Sequence, residues 1–235
     1  MTAADLAAAW SRAEPVVSAH ARLPPGAIDA STWATVASGD VAHRQSDEGT
    51  RGIGVLAESQ AALWLAITDD HPVQVVSGLV QVAWNGGWAA NKLLYERLDL
   101  PWPFQDRQWV VRTETNLAVA PSGAWERAWS NAPEELANAR AKTSADAFDA
   151  ALSIPTNQGS WILLPVSQNE TLCIYQARVR LGGSLPAGAA DRYADASLPE
   201  LFRATLEDAR SMHARYVSSC DQPGGDGVTI PCVPR

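Results

Sequence analysis

Hydrophobic residues recur at helical spacing near both ends of this 235-residue chain and in looser two-residue alternation through its middle. Thr2 is placed to cap a short helix in which Leu6 and Trp10 share one face, so that helix is expected to lie on a sheet. Pro15, Pro24, Pro25 and Gly26 then break the chain. Thr32 to His43 alternates as a first strand, and Gly52 to Ala57 forms a second after the polar turn Ser46 to Thr50. Ser59 caps a helix running to about Asp69, with Ala62, Leu63, Ala66 and Ile67 as its inner stripe. Val73 to Trp84 and Trp88 to Leu98 read as strands joined by Asn85-Gly86-Gly87, residues that tolerate positive φ. Arg107 to Val119 pairs with Ala124 to Trp129 across Pro121-Ser122-Gly123. Pro133 to Lys142 reads as an exposed helix with proline in its first turn.

Three more strands follow, Ala147 to Ile154, Ser160 to Val166 and Leu172 to Leu181. The last carries Cys173, Tyr175, Ala177 and Val179 on one face and Gln176, Arg178 and Arg180 on the other, the alternation of a sheet with one wet side. From Pro186 the period returns to that of a helix, with Ala189, Ala190 and Tyr193, then Leu198, Leu201, Phe202, Thr205, Ala209, Met212 and Tyr216. The order of elements is an α+β layout in which one helix covers an antiparallel sheet.

Two stretches carry a resemblance. Leu94 to Arg112 runs strand, Leu-Pro-Trp-Pro turn, then strand, and the prolines at 101 and 103 separate the two strands rigidly because proline cannot donate a ladder hydrogen bond. Downstream, Gly159, Ser160, Trp161, Leu164 and Pro165 precede Thr171, Tyr175, Gly182-Gly183-Ser184-Leu185-Pro186 and Ser197-Leu198-Pro199-Glu200-Leu201. In this order the segments resemble the START lipid-transfer family of the SRPBCC superfamily, over roughly Ser31 to Tyr216. The resemblance implies a helix-grip fold: a curved antiparallel sheet around a long C-terminal helix, with an internal hydrophobic cavity. On that basis residues 1–30 are an N-terminal helix and linker, 31–217 the START-like domain, and 218–235 a flexible Pro/Gly-rich tail. Two departures are visible. Gln108 stands where the family has an acidic residue, and Ala187 and Gly188 replace bulkier residues of the closing turn.

Composition narrows the partners. A formal net charge of -8 and a pI near 5.0 lack the basic stripe that nucleic acid demands. Any membrane contact must therefore be local and transient. Ten Trp beside three Phe supply broad amphipathic rings suited to cavity walls. No apolar run approaches the ~20 residues that span a bilayer. A soluble monomer is expected, cytoplasmic unless Cys220 and Cys232 form a disulfide across the tail, which would place the chain in an oxidising compartment after loss of an export signal.

Catalytic signatures are absent from the sequence. His20, His43, His71 and His213 are scattered without metal-site spacing, and there is no nucleophile elbow, phosphate loop or dinucleotide fingerprint. Neither metal nor cofactor is expected. The expectation is a container whose apolar wall comes from Leu94, Trp109, Val111, Trp125, Trp129, Trp161, Leu163, Tyr175 and Ala177, with Tyr193 and Phe202 as a lid. Glu96 and Arg112, on the strands flanking the Pro-Trp-Pro turn, are the candidates for an ionic pair at the cavity, the alternative being that both point to solvent. The ligand is a lipid or sterol-like molecule, bound without chemical conversion. An aromatase or cyclase using the same cavity, and a ligand sensor or structural partner, are the alternatives.

Overall fold

The computed structural model describes residues 1–46, 49–69, 79–84, 91–183, 189–215 and 221–231, with side chains throughout except at 189–197, 213 and 215. The N-terminal helix α1 (Ala3–His20) opens on a capping box, Thr2 and Asp5 each accepting from the other's backbone. It continues through Pro15 to 18 residues, because Leu6, Trp10, Ala13 and Val17 all bury on one stripe. The region from Thr32 is helical, not extended. Asp29 caps α2 (Ala30–Ala37), and Trp33 and Val36 bury three residues apart, a spacing that suits a helix and not a strand. The first strand, β1 (Ala42–Ser46), comes after it and pairs with β2 (Gly49–Leu56).

Ser59 caps α3 (Gln60–Thr68), its hydroxyl accepting the Ala62 amide. The buried Lys92 ammonium donates to the Thr68 carbonyl at the other end, a cation against the negative pole of the helix. Strands β3 (Leu79–Trp84) and β4 (Lys92–Leu98) pair antiparallel, and the Asn85-Gly86-Gly87 turn expected between them lies outside the described residues. β5 (Arg107–Thr115) and β6 (Trp125–Asn131) pair as anticipated, joined by a 3-10 turn, Leu117–Ser122, ending on Gly123. A second 3-10 turn leads into α4 (Leu136–Arg140).

Where the pattern predicts a strand over Ala147 to Ile154, α5 (Ala145–Ala150) forms instead, leaving only β7 (Leu152–Ser153) extended. Phe148 of α5 stacks on Tyr95, and the Gln108 amide donates to the carbonyls of Phe148 and Ala151, so tertiary contacts set this helix. β8 (Thr156–Ser167) and β9 (Glu170–Arg180) form the longest ladder, and α6 (Ala189–Arg215) closes the domain. Within the Pro/Gly-rich tail, where the sequence suggests flexible chain, β10 (Gln222–Pro223) and β11 (Thr229–Ile230) form a small ribbon. Cys220 and Cys232 lie outside the described residues; Cys173 is a buried free thiol.

Strand order is β1-β2-β9-β8-β6-β5-β4-β3, with β7 added parallel to β5. This is the α+β, helix-grip arrangement the resemblance implies. One face carries α3 and α6, which bury Leu63, Trp64, Leu198, Phe202, Ala209 and Met212 with Trp161, Leu163 and Cys173 of the sheet. The other face is not wet over its central strands. α1 and α2 cover Ile162, Leu164, Leu172 and Ile174, and Gln176, expected in solvent, is buried and donates to the Leu23 carbonyl.

Candidate functional site

The inner face, towards α6, collects one residue in two from each central strand, because side chains alternate across a sheet. β4 presents Leu94, Glu96 and Leu98; β5, Trp109, Val111 and Thr113; β6, Trp125, Arg127 and Trp129; β8, Asn157, Gly159, Trp161 and Leu163; β9, Cys173, Tyr175 and Ala177. The registers bring them together, with Glu96 opposite Trp109, Leu94 opposite Val111, Trp125 opposite Leu163, Trp161 opposite Tyr175 and Gly159 opposite Ala177. Trp161 is the hub of an aromatic row, its ring centroid 4.9 Å from Tyr175 and 5.1 Å from Phe202, while Trp129 lies 5.7 Å from Tyr175. The Trp129 indole N–H donates to Asn157 Oδ1 at 2.9 Å, which fixes its ring. Of the expected wall, Leu94, Trp109, Val111, Trp125, Trp129, Trp161, Leu163, Tyr175 and Ala177 share this face, with Phe202 over it. The Tyr193 side chain lies outside the described residues.

The candidate ionic pair does not form. Glu96 points inward, whereas Arg112 stands on the opposite face, paired in register with Leu93 and bridging Glu134 at 3.1 Å and Glu135 at 3.3 Å in solvent. Neighbouring positions of a strand cannot share a face, so Val111 inside puts Arg112 outside. A cation nearer the aromatic row is Arg127, between Trp125 and Trp129 on β6, buried and with a guanidinium nitrogen 3.4 Å from Thr113 Oγ1. Glu96 accepts from the Trp109 indole N–H and, at 2.9 Å, from the Gln81 amide across the β3–β4 ladder. Gln81, Arg127 and Asn157 are the polar residues that the sequence reading passed over, although strand parity assigns Arg127 to the wall as soon as Trp125 and Trp129 are placed there.

Burial pushes the Glu96 carboxyl above its ordinary value, opposed by its two hydrogen bonds and by the charge of Arg127. Burial, with a smaller contribution from Glu96, also raises the Tyr175 hydroxyl. Protein surrounds both groups closely enough for desolvation to dominate, yet Glu96, Trp129 and Tyr175 each retain accessible surface. These three side chains are neither fully buried nor exposed. Among the described residues, no hydrogen-bond partner meets the Tyr175 hydroxyl. The site therefore offers an aromatic wall, a carboxyl held towards its neutral form, a phenol and a guanidinium. Among the described residues, no three His, Cys, Asp or Glu side chains gather as metal ligands, and no helix is long and apolar enough to cross a membrane.

The inner face has two distinguishable ends. At one, the Arg107 guanidinium donates to the carbonyls of Leu181 and Gly182 at 2.8 and 3.1 Å, tying the β4–β5 turn to the segment that leads into α6. Arg107 is thus a structural tie. Trp125 marks the other end, four residues or about 13 Å along β6 from Trp129. There it meets Trp64 of α3 edge-on at 5.6 Å.

No family model and no curated protein matches the sequence. Solved structures do match the fold. Human StAR-related lipid transfer protein 5 is similar at TM-score 0.54 and 13% identity, over 89% of this chain and 98% of that one. A STAR-related lipid transfer protein (fragment 25-204) from Xanthomonas axonopodis is similar at TM-score 0.51 and 21% identity, over 74% and 92%. A weaker likeness is to the Zhui aromatase/cyclase of a Streptomyces species (TM-score 0.47, 12% identity, over 73% and 95%). At these identities the likeness concerns architecture: the chain has the START-type helix-grip fold, the fold of StAR-related lipid transfer domains.

Proposed function

We propose that this protein binds a hydrophobic small molecule, a lipid or sterol-like ligand, between the inner face of the sheet and α6, and carries it between membranes without converting it. The observation that carries this reading is the partial accessible surface kept by Glu96, Trp129 and Tyr175 on the sheet face that α6 covers. Each methylene moved from water onto such a wall contributes about 0.8 kcal/mol, so an apolar body supplies most of the affinity. The polar end of the ligand is oriented by the Tyr175 hydroxyl, which has no partner among the described residues, and by Glu96, whose unfavourable burial as a carboxylate selects against a second negative charge beside it. A neutral hydroxyl or carbonyl meets both conditions. The START-type fold supports the same reading.

Titration with a fluorescent fatty acid and a fluorescent sterol, read by energy transfer from tryptophan, tests it. Saturable transfer that is lost in Ala177→Trp, where an indole fills the wall beside Gly159, is the expected result. Transfer that is absent, or unaffected by Ala177→Trp, would refute binding at this face. The gathering of Glu96, Tyr175 and Arg127 on one wall gives a second reading, a cyclase or aromatase in which these groups polarise a ligand carbonyl. Conversion of a polyketone probe by the parent protein, abolished by Glu96→Gln, would favour that reading over transport.

A further inference from the structure

The C-terminal ribbon is seated on the site more closely than a trailing segment requires. Gly225 lies against Trp125 so tightly that a Cβ there would fall 2.3 Å from Trp125 Cβ and 2.5 Å from Cγ, and a Cβ on Gly224 would fall 2.9 Å from Cη2 of the same ring. Only glycine fits in this approach. The Trp64 indole N–H donates to the Pro223 carbonyl at 3.1 Å, so the two tryptophans that mark this end of the inner face both hold the ribbon. The ribbon is internally braced by Gly224 N–H to Val228 O at 2.8 Å and Val228 N–H to Asp226 Oδ1 at 2.9 Å. Ile230 is buried in the same apolar cluster as Trp64 and Leu65 of α3 and Ala209 and Met212 of α6.

From these contacts we infer that residues 221–230 are a strap that pins the C-terminal half of α6 onto α3 and Trp125, so that the helix lifts at its start and not at its end. At the opposite end the segment ahead of α6 is held by one side chain, Arg107, on the carbonyls of Leu181 and Gly182. Gly182 and Gly183 hold φ of 61° and 68°, a conformation that L side chains rarely adopt, just before α6. A helix fixed at one end and led by two glycines at the other swings about the fixed end. The strap also ends the ligand space, because the indole of Trp125 is walled by Trp64 on one side and by Gly224 and Gly225 on another. This role rests on the proposed ligand site for its purpose but not for its test.

The test uses the full chain carrying Gly225→Val, with Gly225→Ala as a milder second variant and Val228→Thr, at an exposed position, as control. Hydrogen exchange of the free protein is followed by peptide. Exchange at least tenfold faster over 203–215 and 60–68 in the Gly225 variants, with α1 and β8 unchanged and Val228→Thr like the parent, is the expected result. Acceleration confined to 221–231 would overturn the strap, since the ribbon would then lie on α6 without restraining it. Dissociation of a fluorescent fatty acid is measured on the same proteins, with release expected to be faster in the Gly225 variants. If no protein, parent included, binds the probe, the ligand reading fails while the exchange result still decides the strap.

Discussion

The ring of Phe202 lies against two glycines, and that contact yields a quantitative test of how α6 meets the sheet. An added Cβ at Gly54 would stand 3.1 and 3.2 Å from Phe202 Cδ1 and Cε1 and 3.2 Å from Val41 Cγ2; at Gly52 it would stand 3.0 Å from Phe202 Cε2. Phe202 is 1% exposed and packs on Trp161. Gly54→Ala therefore crowds a ring that cannot yield towards Trp161, an overpacking cost of about 1–3 kcal/mol. Against this stands a gain of about 0.4–1 kcal/mol from the stiffer unfolded chain. Phe202→Ala alone removes the ring at a cost of about 3–5 kcal/mol, or roughly 6–20 °C in Tm at about 2–4 °C per kcal/mol for a domain of this size. In the Phe202→Ala background the methyl added by Gly54→Ala enters space that the ring vacated, so the same change becomes neutral or stabilising. The double-mutant cycle, measured by urea denaturation with a common m-value, should give a coupling of about 1–3 kcal/mol, in the direction that makes the double variant more stable than the sum of the singles. Additivity within about 0.3 kcal/mol, the level seen for independent sites, would mean that the ring does not press on β2 and that α6 sits further from the sheet than described.

Three further outcomes concern the buried carboxyls and the outward Arg112. Glu126, fully buried beneath the end of α1, accepts from the Arg22 amide at 3.0 and 3.2 Å and from Asn116 at 2.5 Å; Glu126→Ala strands both donors, about 1–3 kcal/mol for each left unsatisfied, and should accelerate hydrogen exchange in α1. Burial raises Glu96 and Glu126 above the ordinary value of 4.5, so the native state holds their protons more tightly than the unfolded chain. From about pH 4.5 up to the native values their contribution to stability falls as pH rises, and a Tm series over this range should show a shallower decline in Glu96→Gln than in the parent. Arg112→Ala should change stability by no more than about 1 kcal/mol, since its pairs are exposed, and should leave probe affinity unchanged.

Much of the architecture is legible in residues that act locally. Ser59 caps the helix it predicts, the Leu-Pro-Trp-Pro segment separates β4 from β5, and the alternation of Cys173, Tyr175 and Ala177 chooses the inner face of β9. The misreadings arise where a distant partner outweighs the local pattern. Thr, Val and Trp in 32–43 are β-prone, but the Asp29 cap and the packing of Trp33 and Val36 against α1 make them a helix. Arg178 and Arg180 suggest a wet outer face and are exposed, whereas Ile174 packs under the N-terminal helices and Gln176 is buried against the Leu23 carbonyl. Pro15 is accommodated because α1 takes its stability from the buried stripe on either side. The Glu96–Arg112 pairing fails on parity alone. Positions 109 and 111 inward exclude 112, and the same count along β6 brings Arg127 into the wall.

The most direct test of the central claim is native mass spectrometry of the freshly purified full chain. A complex heavier than the polypeptide by one apolar molecule, removed by organic extraction and missing from Ala177→Trp, is the expected result. A polypeptide that is free of any bound species, and stays free after incubation with fatty acid and sterol, would contradict it.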